Sequence, residues 1–592
     1  MPNSLPAVLF DRFAASPWQL AYESREGAGW RTWTWREVET VVRELSAGLV
    51  ARGVQPGQTV AILAGTRIEW IFADFAVLCA GAATTTIYPS STADDATYIL
   101  EDAGCVALFV ERDAQVDGVR APELRIAMDP SDTLLSFAAL REAGRDWLDV
   151  HGVDAWEAIG RAVQPEDLAT LIYTSGTTGR PKGVRLVHDC WLAQAVALAP
   201  TIEAHRQVDD KLYVWLPLAH AYGKVLQLAG VQYGVPTAVD GDIDRLQESL
   251  EATRPTYVPA VPRVFEKMFV KIRGRVVSRG ERVAKVFDWA AGVARRVAEL
   301  EAGGQAVPWS LRLQHALADR LVYRKIREAF GGRIRAFFSG SAPLAPELMF
   351  FFEGVGMPIL EGYGLTECAA VATANVPDDK RLGSVGKAGE GMAIRISDTG
   401  EVLMRGRAVM RGYHHRDDAT AAAFEDGWFR TGDLGSLDDD GFLYITGRIK
   451  ELIITSGGKN IAPVPIESAV KARCPVLQEL VMLGDGRKFC AAIATLDAQG
   501  LASWCALQGR PADPPPQPDD LAVWAADPAV NTVIRDAIDA VNATLPSYAT
   551  IKDFVVLDRE LSIAGGELTP SQKVRRTVIA ERYGALLDPL YA

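Results

Sequence analysis

From about Leu5 to Pro165, segments with helical spacing of apolar residues, such as Trp35–Arg52, alternate with short apolar runs at Thr59–Leu63, Val106–Val110 and Leu124–Ala127. Such alternation predicts α/β layers built on parallel strands. Leu168–Tyr173 reads as a further strand, running into a loop rich in Gly, Thr and Ser and then into an apolar helix-like segment, Cys190–Ala199. A strand, a polar loop and a helix in that order form a phosphate-site layout. Phe75–Ala93 carries no charge. Its Ala, Gly and Thr content and its Pro89 to Thr92 end fit a buried α/β core better than a membrane span. From Val264 to Arg335 the pattern is long and helical; strand-like runs return at Ala393–Met404, at Phe442–Thr446 and, past a short basic turn, at Glu451–Thr455. The expected fold is α/β, α+β when the whole chain is considered. A large multi-layer N-terminal domain, residues 1–449, would carry sheets flanked by helices, and a small C-terminal α+β domain, residues 450–592, would begin in the basic turn. Gly509–Asp520, dense in proline, reads as an exposed linker or loop.

At 592 residues the chain is long enough for two or more domains. Hydrophobic residues at 48% and charged residues at 23% describe a folded globular chain, not a disordered one. The charge sum, 62 Lys and Arg against 75 Asp and Glu, is −13, which argues against a general nucleic-acid binder. One region departs from this balance: Arg263 to Leu300 holds ten basic and four acidic residues. It reads either as a solvated helix face or as a surface that transiently attracts an anionic membrane or ligand. Seven scattered cysteines without a C-x-x-C pair signal neither a disulfide framework nor a zinc site. The start, MPNSLPAVLFDRF, lacks a basic stretch ahead of an apolar core, so the expected location is cytoplasmic, with a peripheral position at the inner membrane face as a variant.

The strongest local signal is YTSGTTGRPKGV, Tyr173 to Val184. Gly176 and Gly179 permit close backbone approach, the hydroxyls of Thr174, Ser175, Thr177 and Thr178 can donate to phosphate oxygens, and Lys182 supplies a cation. It is not a Walker A loop, since no Gly-Lys-Ser/Thr stands at the required spacing. The string resembles the signature of the adenylate-forming superfamily, which includes acyl-CoA synthetases, luciferases and peptide-synthetase adenylation domains. Further segments resemble that family in chain order. Ser339 to Pro343, with Ser341, is similar to the segment wrapping adenine and the acyl carbonyl, and EGYGLTE, Glu361 to Glu367, to the one whose Tyr363 lies against adenine. The resemblance places Thr366 beside the α-phosphate and gives Mg2+ to Glu367 and Thr174; a hard cation does prefer oxygen ligands. In GWFRTGDLG, Asp433 would accept the ribose hydroxyls, as a carboxylate with two acceptor oxygens can. GRIKELIITSGGKNIAP resembles the hinge and the loop after it, with Arg448 at phosphate or ribose, Lys450 as hinge, and Gly457, Gly458 and Lys459 along a pantetheine passage. LTPSQKVRR puts Lys573 where the family carries its C-terminal catalytic lysine.

His220, in LPLAHAYG, matches the family histidine near the acyl carboxylate, and a satisfied core histidine is the other reading of it. Adjacent His414 and His415 would point apart on any regular element, and no zinc is expected. The resemblance implies a two-step reaction using ATP, Mg2+ and coenzyme A: a carboxylate is adenylated, then a thiol displaces AMP, with the small domain rotating about Lys450 between steps. VPAVPRVFEK, LVYRKIREAFGG and TSGGKNIAP narrow the likeness to bacterial long-chain fatty acyl-CoA synthetases. The implied partners are a fatty acid, ATP and CoA, with no nucleic acid. The departure is Ala221-Tyr222-Gly223-Lys224, where many long-chain members have a bulky residue followed by Glu-Arg, so Tyr222 would narrow or redirect the acyl pocket. Two alternatives stay open: a superfamily ligase with another acid or acceptor, and a non-catalytic nucleotide or acyl-lipid binding protein.

Overall fold

The computed structural model of the chain describes residues 3–174, 180–202, 205–277, 279–510, 515–569 and 572–591. Ser175, Gly176, Thr177 and Thr178 of the Gly/Thr/Ser-rich loop lie outside the described residues. The predicted runs Thr59–Leu63, Val106–Val110 and Leu124–Ala127 all enter one seven-stranded sheet, in the spatial order Leu135–Ser136, Leu124–Ala127, Cys105–Val110, Thr59–Leu63, Ala83–Ile87, Leu168–Thr174, Lys182–Val187. All its pairs are parallel except the last. The uncharged stretch from Phe75 becomes the end of the helix Ile68–Cys79 and the strand Ala83–Ile87, both buried throughout, the strand with Thr84, Thr85 and Thr86 inside a parallel sheet covered on both faces. Among the described residues no helix is long and apolar enough to cross a membrane.

Two elements differ from the expectation. The polar loop does not open into a helix: Lys182–Val187 is a strand antiparallel to Leu168–Thr174, with Thr174 opposite Lys182, and the helix His188–Ile202 follows it. The reason is period-two burial, Val184 and Leu186 inward with Arg185 outward, which suits a strand and not a helix turn. The hairpin Leu20–Glu26/Gly29–Thr34, although within the first 165 residues, joins the edge of a second, nine-stranded sheet. The middle of that sheet, Thr237–Val239, Leu212–Val214, Tyr257–Ala260, Ala336–Ser339 and Ile359–Tyr363, is parallel and runs beside the helical region Pro262–Glu328. A third sheet, Met392–Ile396, Glu401–Gly406, Trp428–Leu437, Phe424–Glu425 and Leu443–Arg448, completes the large unit.

One large apolar core extends from Leu5 to Phe429, and a smaller one within the same unit from Ala61 to Tyr173. Two others begin only at Ile453 and Val481, around the sheet Leu477–Leu483, Cys490–Leu496, Ile551–Val556. The short turn Ile449–Glu451 connects the two units.

Inside the large core the ammonium of Lys224 meets the carboxylate of Asp74 at 2.6 Å, with both side chains fully buried. Thr84 Oγ1 and Gln227 Nε2 donate to the same carboxylate at 2.7 and 3.0 Å, and the rings of Trp70 and Trp191 flank the ammonium. The charge pair, not visible as such in the sequence, ties the helix Ala221–Tyr233 to the helix Ile68–Cys79. A buried charge survives only with such partners.

Candidate functional site

The strand Ile359–Tyr363 ends in a tight turn, Thr366–Cys368, against which Gly364 packs so closely that a Cβ would sit 1.7 Å from the Ala370 carbonyl oxygen. The turn aims the Glu367 side chain at the hairpin that bears Lys182. There the Tyr413 hydroxyl donates to Glu367 Oε1 at 3.0 Å, and Lys182 Nζ lies 4.9 Å from the centre of the Tyr413 ring. A bridge between Val184 and Tyr413 holds the two segments together. Thr366 is buried beside them.

Across the cavity, Asp433 and Arg448 are register partners on the strands Trp428–Leu437 and Leu443–Arg448. Arg448 Nε stands 3.1 Å from Asp433 Oδ1, and the Tyr363 hydroxyl donates to Asp433 Oδ2 at 2.6 Å. Burial lifts the Asp433 carboxyl above its ordinary pKa, with Arg448, Tyr363 and Lys573 pulling the other way. Each carboxylate oxygen still has a lone pair to accept another donor. Ser341 follows the strand Ala336–Ser339 with φ of 73°, a left-handed conformation that a non-glycine residue holds at a cost and that is frequent at binding sites.

His220 is the N-cap of the helix Ala221–Tyr233: its Nδ1 accepts the Tyr222 amide at 3.1 Å. Burial, helped by Lys573, lowers its pKa to about 4, so the ring is neutral at neutral pH. With Nδ1 used as acceptor, the proton sits on Nε2, which is thereby a donor. The cap geometry answers the two readings of this residue together, since it is structurally satisfied on one nitrogen and lines the cavity with the rest.

Lys573 enters the same cavity from the small unit. Solvent in the cavity reaches it, yet protein surrounds it: burial and then Arg448 lower its pKa, while Asp433, Glu451 and Glu367 raise it. Thus Thr174, Lys182, His220, Ser341, Tyr363, Thr366, Glu367, Asp433, Arg448, Lys450 and Lys573 line one cavity of about 2160 Å³. A nucleotide alone needs less, since typical small-ligand pockets measure roughly 300–1,000 Å³. Gly457, Gly458 and Lys459 stand apart, exposed on a turn where Lys459 Nζ lies 5.6 Å from the Tyr548 ring centre.

The cavity continues along an apolar wall. The helix Ala221–Tyr233 contributes Tyr222, Val225, Leu226 and Ala229; Leu198, Ile202, Leu212, Tyr257 and Phe338 face them. Tyr222 donates to the Phe338 carbonyl at 3.0 Å, which ties its ring to the strand at the entrance.

Two residues of the site carried no readable role in the sequence. Tyr413 sits in an irregular loop with no periodic signal. In the same loop His415 has φ of 51°, and the His414 and His415 rings lie 3.8 Å apart; the expected divergence fails because neither belongs to a regular element. Glu361 opens the EGYGLTE segment and is buried in the cavity wall, where desolvation raises its pKa to about 8 against the pull of the Leu344 amide. At neutral pH it is largely a protonated acid, able to donate and accept. The unfolded chain releases this proton near the ordinary value of 4.5, so stability falls as pH rises from about 4.5 to about 8. Glu361→Gln is therefore expected to melt several degrees above the unsubstituted protein at pH 9 and close to it at pH 5. Thermal unfolding across that range checks this, and a gap that does not depend on pH would refute it.

The sequence profile of the AMP-binding enzyme family matches residues 10–414, and that of the AMP-binding enzyme C-terminal domain matches residues 450–504. The chain belongs to the AMP-binding enzyme family. Among curated relatives, the long-chain-fatty-acid–CoA ligase FadD15 of Mycobacterium bovis is 37% identical over 599 residues, covering 100% of this chain and 97% of the relative. The long-chain-fatty-acid–CoA ligase ACSBG2 of Rattus norvegicus is 32% identical over 639 residues, covering 100% and 93%. Among solved structures, o-succinylbenzoate CoA synthetase (MenE) of Bacillus subtilis, in complex with the acyl-adenylate OSB-AMP, superposes with a TM-score of 0.66 at 22% identity, covering 98% of this chain and 97% of that one. The fold of this family member is therefore that of the adenylate-forming enzymes, large unit and small unit together. Among its described residues there is no cluster of three or more His, Cys, Asp and Glu side chains fit to hold a metal.

Proposed function

We propose that this family member is an AMP-forming long-chain fatty acid–CoA ligase. The observation that carries the reading is a single cavity in which the polar cluster of Lys182, Glu367, Asp433, Arg448 and Lys573 adjoins a mainly apolar wall starting beside His220. The names of the full-length relatives agree with it.

In the first step a carboxylate oxygen of the acid bonds to the α-phosphorus of ATP and pyrophosphate leaves. Both reactants are anions, so the step depends on neutralising charge and aligning the attack. Lys573 supplies a cation at the junction of the two units, and Lys182 another at the end of the phosphate loop. The neutral His220 offers its Nε2 proton to the acid's oxygen without adding a charge that would blunt its nucleophilicity. Asp433 takes the ribose hydroxyls and Tyr363 the adenine face. Magnesium fits this site as an ion shared with the nucleotide: Glu367 supplies the protein carboxylate and Thr174 a hydroxyl, phosphates and water would complete the ligands, and the ion would neutralise phosphate charge. In the second step the thiol sulfur of CoA bonds to the acyl carbon, and AMP leaves with the electron pair of the broken bond. The Gly457-Gly458-Lys459 turn serves the thiol only after the small unit rotates about Lys450, which explains why it stands away from the cavity with Lys573 inside.

AMP release with Mg-ATP and acids from acetate through octanoate and palmitate to benzoates, each with and without CoA, tests the proposal. CoA-dependent turnover that rises with chain length supports it; turnover confined to aromatic acids refutes the long-chain assignment. Ala229 lies about 13 Å beyond His220 along the helix. Ala229→Phe is expected to lower palmitate turnover by tenfold or more while sparing octanoate, because a phenyl ring in that wall meets only a chain long enough to reach it.

A further inference from the structure

Half of the ten basic residues in the run from Arg263 to Leu300 are engaged in ion pairs among the described residues. Arg263 pairs with Glu479 at 3.5 Å and with Asp497 at 3.8 Å, Lys267 with Asp497 at 3.7 Å, Arg273 with Asp288 at 3.6 Å and Lys285 with Glu281 at 2.7 Å. Its first two members pair across to carboxylates of the small unit, Arg263 partly buried and Lys267 half exposed.

The next helix, Trp309–Ala318, behaves differently. Its inward side is Leu311, His315 and Ala318, and His315 Nε2 meets the Gly354 carbonyl at 2.7 Å. On the outward side Trp309, Leu313 and Leu317 follow one another at four-residue spacing and are 76%, 62% and 52% exposed. Such a series drifts about 40° per step around an α-helix. The π-helical turn Asp319–Tyr323 that follows takes more residues per turn, which offsets the drift and returns Leu321, itself 45% exposed, to the row. Four large apolar side chains in line on solvent form a patch of the kind that marks an interaction surface.

The charges around the row are one-sided. Between Trp309 and Glu328 stand Arg312, Arg320, Arg324, Lys325 and Arg327 against Asp319 and Glu328, an excess of three positive charges in a chain whose sum is −13. Arg324 and Arg327 spend theirs on Glu328 and Asp319, whereas Arg312, Arg320 and Lys325 are exposed and make no ion pair among the described residues. Just beyond, Arg333 and Arg335 pair with Asp209 and Asp210, and Asp210 is a wall residue of the cavity. Arg335, fourteen residues after Leu321, thus pairs with a residue of the cavity wall.

We propose that this face docks on an anionic lipid bilayer, with Trp309, Leu313, Leu317 and Leu321 entering the boundary between headgroups and chains and Arg312, Arg320 and Lys325 meeting lipid phosphates. A tryptophan, three leucines and flanking cations match what interfacial helices present to such a surface. The inference builds on the fatty-acid reading by naming where the substrate is collected, but its readout is vesicle binding and not turnover, so each can fail without the other.

The test is co-sedimentation of the full chain with vesicles of phosphatidylcholine alone or mixed with phosphatidylglycerol. Binding to the mixed vesicles that weakens with added salt, and falls at least tenfold in Leu313→Asp/Leu317→Asp and in Arg312→Glu/Arg320→Glu, is the expected result. Circular dichroism and an unchanged thermal unfolding midpoint confirm that both variants are folded. A protein that stays in the supernatant with mixed vesicles, or binds them equally well in all three forms, overturns the proposal. So does a chain that is dimeric by light scattering, ignores vesicles and becomes monomeric in Leu313→Asp/Leu317→Asp, since the row would then be covered by a second copy.

Discussion

Lys573→Ala is expected to lower adenylate formation by about 100- to 1000-fold, the range seen when one preorganised donor is removed from a site of developing charge. The same variant should convert preformed acyl-AMP and CoA to thioester within a few fold of the normal rate. The asymmetry follows from where the lysine stands. It reaches the cavity from the small unit, held among Arg448, Asp433, Glu451 and Glu367. Its backbone is tied to Thr569, whose amide donates to the Lys573 carbonyl and whose hydroxyl oxygen accepts the Lys573 amide. In the proposed mechanism two anions meet in the first step, and Lys573 is the group that the small unit would bring to them. The second step would present a neutral acyl carbonyl and a leaving AMP, and would use the Gly457-Gly458-Lys459 turn in place of Lys573. ATP–pyrophosphate exchange reads the first step and single-turnover thioester formation the second. Equal losses in both would remove the assignment of Lys573 to adenylation.

Lys450→Pro is expected to separate the two steps in the same direction of assay but with the opposite result: pyrophosphate exchange retained within a few fold, thioester formation reduced by tenfold or more. Lys450 lies in the turn Ile449–Glu451 that links the two cores. Proline fixes φ near −65°, inside the range of such a turn, so the arrangement with Lys573 in the cavity is tolerated while rotation away from it is resisted. The ion pairs of Arg263 and Lys267 with Glu479 and Asp497, and of Arg473 with Glu347, belong to this arrangement and would have to break in any other. Equal impairment of both steps would count against a hinge at this residue.

Much of this was legible from local pattern. Apolar runs placed Thr59–Leu63, Val106–Val110 and Leu124–Ala127 as strands because a covered parallel sheet needs them apolar on both faces. The motif residues from Thr174 to Lys573, nearly four hundred positions apart in sequence, line one cavity, apart from the loop outside the described residues and the exposed turn at Gly457. What was not legible depends on pairing at a distance. A period-two stretch as short as Lys182–Val187 was overshadowed by the apolar helix behind it. The hairpin Leu20–Thr34 gives no local sign of which sheet it will join. Tyr413 acts through a bond to Glu367, forty-six positions away. Glu361 looks in sequence like any strand acid, and only the depth of its setting keeps its proton on.

The Lys224–Asp74 pair also constrains how this chain can change over generations. Losing either charge alone leaves its partner stranded in the core, at a cost of about 3–5 kcal/mol, a large share of what holds most domains together. An apolar replacement of both could be as stable as the present pair, but a chain changing one residue at a time must first cross that deficit. The two positions are therefore expected to drift as a unit, and the register of the helix bearing His220 and the acyl wall is sheltered from single substitutions behind it.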